Sequence, residues 1–113
     1  MVEIFKALAE ESRLRILSIL LENDMCVCEL ENCLGLKQSN ISRHLSALKN
    51  SGLLDSYKQA QWAFYKINKE FIQEHQQLWL YLEKKLKELP SFQEDYARMQ
   101  KCKSENICNI SVL

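Results

Sequence analysis

The segment that most narrows the choice of fold is LKQSNISRHLSALKNSGLL, residues 36–54. Ile41, Leu45 and Leu48 recur at helical spacing, which predicts an apolar stripe facing a core. The opposite face carries only small or polar side chains, so the helix is slim on that side. Asn-Ser-Gly at 50–52 predicts the end of the helix, because glycine readily takes a positive φ.

Three shorter helical patterns precede this segment. The first lies around residues 4–9, and the second begins after Ser12, which we expect to be its N-cap. A third runs from about residue 26 to residue 34, with Gly35 placed to stop it. Two short helices joined by a turn, the second with a slim polar face, predict a helix-turn-helix.

The next segment, LLDSYKQAQWAFYKIN at 53–68, is rich in aromatic residues and alternates in the manner of strands. It predicts a β-hairpin that turns near residues 59–61, which is the wing of a winged helix. Ala60 stands where a glycine is usual, and a positive φ there would cost about 1–2 kcal/mol. We therefore expect a longer or differently shaped turn.

Helical spacing returns over residues 70–89, and Pro90 ends that pattern. Residues 91–101 predict one more short helix. Only two glycines and one proline occur among 113 residues, which favours helices throughout. We predict a mainly α-helical winged helix-turn-helix with a small β-hairpin over residues 1–101, followed by a cysteine-containing C-terminal tail at 102–113.

Neither a membrane-spanning segment nor a secretion signal is recognisable in the sequence. No apolar run approaches the roughly 18 residues that a membrane span needs. The first residues, MVEIFKALAEESR, carry acidic side chains where a signal peptide carries basic ones. We predict a cytoplasmic protein, in which five cysteines are reduced thiols, ligands or sensors and not a disulfide framework.

Charge is unevenly distributed in this neutral chain. Six basic residues and one acidic residue fall within residues 32–69. A solvated face is the plain explanation, but the basic region coincides with the slim helix and the hairpin, which favours a DNA-binding face. Glutamine and asparagine can pair with adenine edges, an arginine with guanine or phosphate, and lysines with phosphates. The candidate DNA-binding residues are Lys37, Gln38, Ser39, Asn40, Ser42, Arg43, His44, Lys49 and Lys58.

His44 differs from the other members of that set, because it lies toward the side of the helix. A partly buried, hydrogen-bonded histidine is the alternative at this position.

Three of the five cysteines lie in MCVCELENC, residues 25–33. In a regular helix Cys26 and Cys28 would point about 200° apart, so both cannot face the core, and sharing one ion requires a distorted helix start. Thiolates select soft ions and must lose their protons to bind them. We predict that these two cysteines are ligands. Cys33 would lie about 10.5 Å along the axis from Cys26, so we assign it to the core.

The sequence does not decide which residue would supply a third ligand to the ion. Cys102 and Cys108 lie in the predicted tail, which could close over the site from the same or the partner subunit. The alternative is that both are incidental exposed thiols.

The segments FKALAEESRLRILSIL, MCVCEL, QSNISRHLSALKNSGLL and KQAQWAFYKI resemble the ArsR/SmtB family of metal-sensing repressors in order and spacing, over residues 3–89. CVCEL resembles the thiolate motif of the arsenic- and antimony-responsive members and of the cadmium/lead branch. The arsenic pattern has a third cysteine three residues after the second, where this chain has Glu31. The resemblance implies a homodimeric winged-helix repressor that leaves its operator when the ion binds.

On that basis we expect a dimer on an inverted-repeat DNA operator, with trivalent arsenic or antimony as inducer and no organic cofactor. Two ligands would also suit a singly substituted organoarsenical. Cadmium and lead rank lower, because the extended arm that supplies cysteines to those sensors has no counterpart here. The family's zinc site is not expected, since His75 lacks the spaced acidic and histidine partners. The candidate dimer-interface residues are Ile4, Phe5, Leu8, Leu78, Leu82 and Leu86.

Two other functions compete with this prediction. One is a thiol redox sensor on the same fold, in which oxidation of Cys26, Cys28 or a tail thiol releases DNA. The other is a winged helix used only for protein–protein contact. An enzyme is not expected, because neither a nucleophile–base pair nor a phosphate-binding loop is recognisable in the sequence.

Overall fold

The structure is a computed structural model, and it describes residues 1–106. Within that range seven helices and three strands pack around one core. Their bounds are α1 Val2–Leu8, α2 Glu11–Leu20, β1 Met25–Cys26, α3 Val27–Leu34, α4 Gln38–Asn50, β2 Leu54–Gln59, β3 Trp62–Ile67, α5 Lys69–Glu74, α6 Gln76–Lys87 and α7 Phe92–Glu105.

Helices α3 and α4 form the predicted helix-turn-helix. The apolar stripe of α4, Ile41, Leu45 and Leu48, is completely buried, as its spacing predicted. Gly35 ends α3 with a φ of +68°, which confirms the predicted stop. The slim polar face of α4 is thereby held outward.

The sheet is antiparallel, in the order β1-β3-β2. Strands β2 and β3 form the predicted wing, and the two-residue β1 adds to the other edge of β3, where Cys26 lies opposite Phe64. Only Ala60 and Gln61 separate the wing strands, and Ala60 has a φ of +57°. The prediction of a longer turn was wrong, because positive-φ two-residue turns match the twist of paired strands.

Three other boundaries differ from expectation. Helix α2 begins one residue after Glu10, so the assignment of Ser12 as N-cap was wrong. The helical pattern over residues 70–89 is divided between α5 and α6 at His75, whose φ of −129° and ψ of 53° are not helical. Asn68 caps α5 by accepting the backbone N–H of Glu70 at 3.1 Å.

The final helix also departs from the prediction. Helix α7 continues through Glu105, so the placement of residues 102–105 in an irregular tail was wrong. Asp95 explains the docking of α7: its buried carboxylate receives two hydrogen bonds of 2.9 Å from Arg15 of α2. Arg15 also donates to the backbone oxygen of Leu34 at 3.2 Å, which ties α7 to the end of α3. Cys108 lies outside the described residues.

Across residues 1–106, none of the helices combines the length and the apolar character that a bilayer crossing requires.

Candidate functional site

Cys26 and Cys28 lie on either side of the point where α3 begins. Cys26 is the N-cap, with an extended backbone (φ −93°, ψ 170°), and it also pairs with Phe64 of β3. Cys28 lies within the first turn of α3. The helical rotation that would separate the two side chains therefore does not apply from Cys26 onward. This is the irregular helix start that sharing of one ion would need, and ion binding by the pair stays a prediction.

Glu29 organises this helix start through a capping box. Its Oε1 accepts the backbone N–H of Cys26 at 3.1 Å, and the Cys26 sulfur accepts the backbone N–H of Glu29. The carboxylate is buried and pairs with Lys103 of α7, whose Nζ lies 3.0 Å from Oε1 and 2.9 Å from Oε2. Lys103 also donates to the backbone oxygen of Asp24 at 2.9 Å. The N-terminus of α3 is thus fixed to α7.

Burial raises the pKa of the Cys26 thiol, and the hydrogen bonds from the backbone N–H groups of Glu29 and Cys28 oppose that rise. At neutral pH the thiol is protonated. A soft ion that binds this sulfur must therefore displace a proton.

A cavity of about 360 Å³ opens beside the two cysteines. Its wall includes Cys26 and Cys28 at the start of α3, Gln38 at the start of α4, and Trp62 at the start of β3. Glu31, which stands where the arsenic pattern has a third cysteine, lines the same space. A ligand held here would touch α3, the wing and α4, which is the second helix of the helix-turn-helix and would be its recognition helix.

Two cysteine sulfurs border this cavity, and they differ in oxidation state. In the part of the chain that the structure describes, no group of three histidine, cysteine or acidic side chains is arranged to hold a metal ion. Cys26 is a free thiol, whereas Cys28 is disulfide-bonded. The Asn32 side chain donates to the Cys28 backbone oxygen at 2.9 Å and lies 3.6 Å from its sulfur. Ion binding by both sulfurs requires reduction of Cys28 first.

Cys33 and Cys102 form a separate pair. Both are buried free thiols, and they contact each other through a side-chain hydrogen bond between α3 and α7. Burial raises the pKa of Cys33 strongly, and its sulfur lies 3.8 Å from the backbone oxygen of Arg98. The assignment of Cys33 to the core is confirmed. Cys102, predicted as a ligand beside Cys26 and Cys28, lies instead beside Cys33.

The polar face of α4 is exposed, as predicted. The Lys49 ammonium donates to Ser56 of β2 at 2.6 Å, which connects the end of α4 to the wing. The candidate DNA-binding residues that reach solvent are Lys37, Gln38, Ser39, Asn40, Ser42, Arg43, Lys49 and Lys58. Their DNA contacts remain predictions.

His44 does not belong to that face. Only 5% of its side chain is exposed, because it points toward α2 and not outward. Its Nδ1 accepts a hydrogen bond from Arg13 at 3.2 Å and lies 3.1 Å from a carboxylate oxygen of Glu10. The alternative that sequence analysis left open, a buried hydrogen-bonded histidine, is the one the structure shows.

The candidate dimer-interface residues fall into two groups. Ile4, Leu82 and Leu86 are buried in the core of a single chain, and any further contact of theirs with a second copy stays a prediction. Phe5 is 53% exposed, while Leu8 and Leu78 are partly buried against that core. The structure adds four exposed apolar side chains, at the N-terminus and on α6, that were not among the interface candidates: Met1, Val2, Leu80 and Tyr81.

The Glu29–Lys103 pair was also missed. The role of Glu29 could have been predicted, because Cys26-x-x-Glu29 has the spacing of a capping box with cysteine in place of serine or threonine. The lysine that pairs with it, 74 residues away, had no local signature.

Comparison with known proteins identifies a family of regulators that this chain resembles. The family model "Bacterial regulatory protein, arsR family" matches residues 10–56. The arsenical resistance operon repressor of Escherichia coli is 44% identical over 68 residues, which cover 59% of this chain and 58% of that protein. The chain spans 53–62% of the length of several curated relatives that it matches.

Solved structures of similar proteins share the fold of this chain. HlyU from Vibrio cholerae superposes with a TM-score of 0.60 at 40% identity, covering 72% of this chain and 88% of that one. A homodimeric winged helix-turn-helix domain from Mycobacterium bovis has a TM-score of 0.63 at 27% identity, covering 72% of this chain and 75% of that one.

Proposed function

This chain belongs to the arsR family of bacterial regulatory proteins, and we propose that it is a transcriptional repressor whose hold on operator DNA is released by trivalent arsenic or antimony. One observation carries the proposal. Cys26 and Cys28 line a cavity that also touches Gln38 of the recognition helix and Trp62 of the wing. A ligand on the two sulfurs therefore acts directly on the elements that would hold DNA.

The DNA-binding half of the proposal rests on helix α4 and the wing. Small and polar side chains of α4 are exposed, and lysines flank them at the start of the helix, near its end and on β2. Arg43 and the amides of Gln38 and Asn40 would read base edges, while Lys37, Lys49 and Lys58 would contact phosphates. Two copies of α4 in successive major grooves would match an inverted repeat.

Dimerisation is the second part of the proposal. Phe5 of α1 and the exposed Leu80 and Tyr81 of α6 leave apolar surface that a single chain does not cover. A cavity of about 280 Å³ lies beside Phe5 and is lined also by His75 and Leu78. The Mycobacterium bovis domain of the same fold is homodimeric by its description. We propose that a second copy of this chain covers the patch.

The third part is release by the inducer. Thiolate sulfurs of Cys26 and Cys28 would bind a soft trivalent metalloid, with the remaining position filled by an organic substituent or by a further ligand. The E. coli relative is named for arsenical resistance. Binding would disturb the Cys26–Phe64 pairing and the Glu29 capping box, shifting α3 against α4. Release requires that the inducer prefer the DNA-free shape, typically by about 1–3 kcal/mol of coupling.

The test is a titration of the reduced protein–operator complex with arsenite, antimonite, cadmium, lead and a monosubstituted arsenical. Wild type should be released by arsenite or antimonite at lower concentration than by cadmium or lead. Cys26→Ser and Cys28→Ser should each stay bound. Cys102→Ala is the matched control and should respond like wild type, because its sulfur lies outside the cavity. Normal release of a Cys26→Ser/Cys28→Ser double variant would contradict the proposal.

A thiol redox repressor is the second candidate, and the disulfide-bonded state of Cys28 favours it. In that case peroxide without any metalloid should release the operator, and dithiothreitol should restore binding. Cys28→Ser should abolish the response to peroxide. Insensitivity of the wild-type complex to peroxide would contradict this candidate and leave the metalloid proposal standing.

A further inference from the structure

A cluster of charged side chains lies where α4 packs against the start of α2, away from the cysteine cavity. Glu10 is its centre. Its Oε2 lies 3.1 Å from Arg13 Nε and 3.1 Å from His44 Nδ1, and its Oε1 lies 3.9 Å from an Arg43 guanidinium nitrogen. The cluster thus connects a buried histidine of the recognition helix to an arginine on the same helix's outer face.

The hydrogen bonds within the cluster are incomplete. Arg13 Nε donates to His44 Nδ1 at 3.2 Å, so that nitrogen is an acceptor and the ring is neutral. Glu10 Oε2 is buried and has no hydrogen-bond donor. Two acceptors therefore face each other at 3.1 Å. A proton on His44 Nδ1 would supply the missing donor, and Arg13 could then turn its N–H to the same carboxylate oxygen.

The Glu10 carboxylate is not held by the cap of its own helix. Glu10 is the N-cap residue of α2, but its side chain makes no capping hydrogen bond. Its second oxygen faces Arg43, whose side chain is 58% exposed on the DNA face. Arg43 can therefore lie toward Glu10 or reach outward to DNA, and the negative charge of Glu10 favours the first arrangement.

We propose that Glu10 is an internal competitor for Arg43, and that protonation of His44 weakens the competition and so strengthens DNA binding. The inference rests on the proposed DNA-binding function. When His44 is neutral, Glu10 shares its charge between Arg13 and Arg43. When His44 is protonated, it binds Glu10 Oε2 and Arg43 is released toward DNA. By linkage, DNA binding must favour protonation of His44 to the same extent.

The direction of the pH dependence follows from the groups that face His44. Burial lowers its pKa from the ordinary value of 6.5, Arg43 on its own helix and Arg13 of α2 lower it further, and Glu10 of the α2 N-terminus raises it. In the free protein His44 is thus neutral at pH 7. Operator affinity should rise as the pH falls below about 6.5.

The test compares operator dissociation constants between pH 8 and pH 5.5 at fixed salt. Wild type should bind about two- to fivefold more tightly at the lower pH, which is the scale of a partly exposed ion pair. Glu10→Gln should bind more tightly than wild type at pH 8 by a similar factor and lose the pH dependence. His44→Gln should lose the pH dependence as well. Glu11→Gln removes the same charge one residue along and should behave as wild type apart from a uniform shift.

Equal gains in Glu10→Gln and Glu11→Gln would overturn the competition, since general charge would then explain both. Persistence of the wild-type pH dependence in Glu10→Gln would overturn it too. Glu10 is partly exposed, so this variant avoids the folding defect that a change at the buried His44 could cause. Absence of operator-specific binding by wild type at every pH would instead contradict the proposed function. An NMR titration of His44 needs no DNA: Glu10→Gln should lower its pKa, and no change would overturn the inference.

Discussion

The N-terminal end of α3 and its C-terminal end both carry buried cysteines, but the groups that surround them differ. At the first end, Cys26 and Cys28 border a cavity that reaches the recognition helix and the wing. At the other end, Cys33 is enclosed between α3 and α7 and contacts Cys102. The two ends of one eight-residue helix therefore differ: the cysteines at its start border a cavity, and the cysteine near its end packs against α7.

The difference shows that thiol chemistry here is set by what packs over each end. Helix α7 covers the C-terminal end because the Arg15–Asp95 ion pair fixes it to α2. At the N-terminal end Lys103 of α7 pairs with Glu29, and a cavity lies beside the two cysteines. Burial without a polar partner raises the pKa of a thiol, and a protonated thiol is a poor nucleophile and a poor ligand.

The largest effect on stability is expected when the packing of α7 over the C-terminal end of α3 is weakened. Asp95→Asn removes one partner of an ion pair whose carboxylate is only 2% exposed, and Arg15 is left without its charge partner. The free energy of unfolding should fall by about 3–5 kcal/mol. Urea denaturation measures it. Glu94→Gln, which breaks the exposed ion pair with Arg98 in the same helix, should change it by no more than about 0.5 kcal/mol. Equal losses would show that α7 is not held by Asp95.

A smaller effect should distinguish the two ends directly. In the reduced wild-type protein, iodoacetamide should modify Cys26 at least about tenfold faster than Cys33, because only Cys26 lines a cavity and Cys33 carries the more strongly raised pKa. Modification of Cys26 should increase first as the pH is raised from 7 to 9. Peptide mass spectrometry gives both rates.

In Asp95→Asn the same experiment should give a smaller difference between the modification rates of Cys26 and Cys33. Similar rates in the wild-type protein would mean that packing of α7 does not shield the C-terminal end of α3.

The smallest effect concerns two residues with a left-handed backbone conformation, one in the wing turn and one at the end of α3. Ala60→Gly in the wing turn, where φ is +57°, should stabilise the protein by up to about 1 kcal/mol, because glycine avoids the strain but gains freedom when unfolded. Gly35→Ala at the end of α3 is the matched reverse and should destabilise by about the same amount. Thermal unfolding measures both. Altered metalloid release in Ala60→Gly would show that the turn belongs to the sensing site.

The sequence predicted those parts of the fold that depend on neighbouring residues. The buried stripe of α4, the stop at Gly35 and the pairing of the wing strands follow from helical or alternating spacing within a few residues. The cysteine pair at the start of α3 was found in the same way. The rotation argument at Cys26 correctly required an irregular helix start, and the N-cap conformation supplies it.

Prediction failed where a distant partner decides the outcome. Residues 102–105 looked irregular because the helix that contains them is held by side chains about 80 positions earlier, through the Arg15–Asp95 pair. His44 was assigned to the DNA face because its position on the side of α4 suits either orientation, and Arg13 and Glu10 determine which one forms. Neither contact has a signature in local spacing.

By itself, then, the sequence determined a helix-turn-helix with a wing, a basic outer face and closely spaced thiols, because these depend on short-range periodicity and residue chemistry. The tertiary structure alone decided which thiols are accessible, since burial depends on α7 folding back over α3. It also decided that His44 lies inside a charged cluster and not on DNA. Exposure and pKa are properties of what surrounds a side chain, and those surroundings are assembled from residues far apart along the chain.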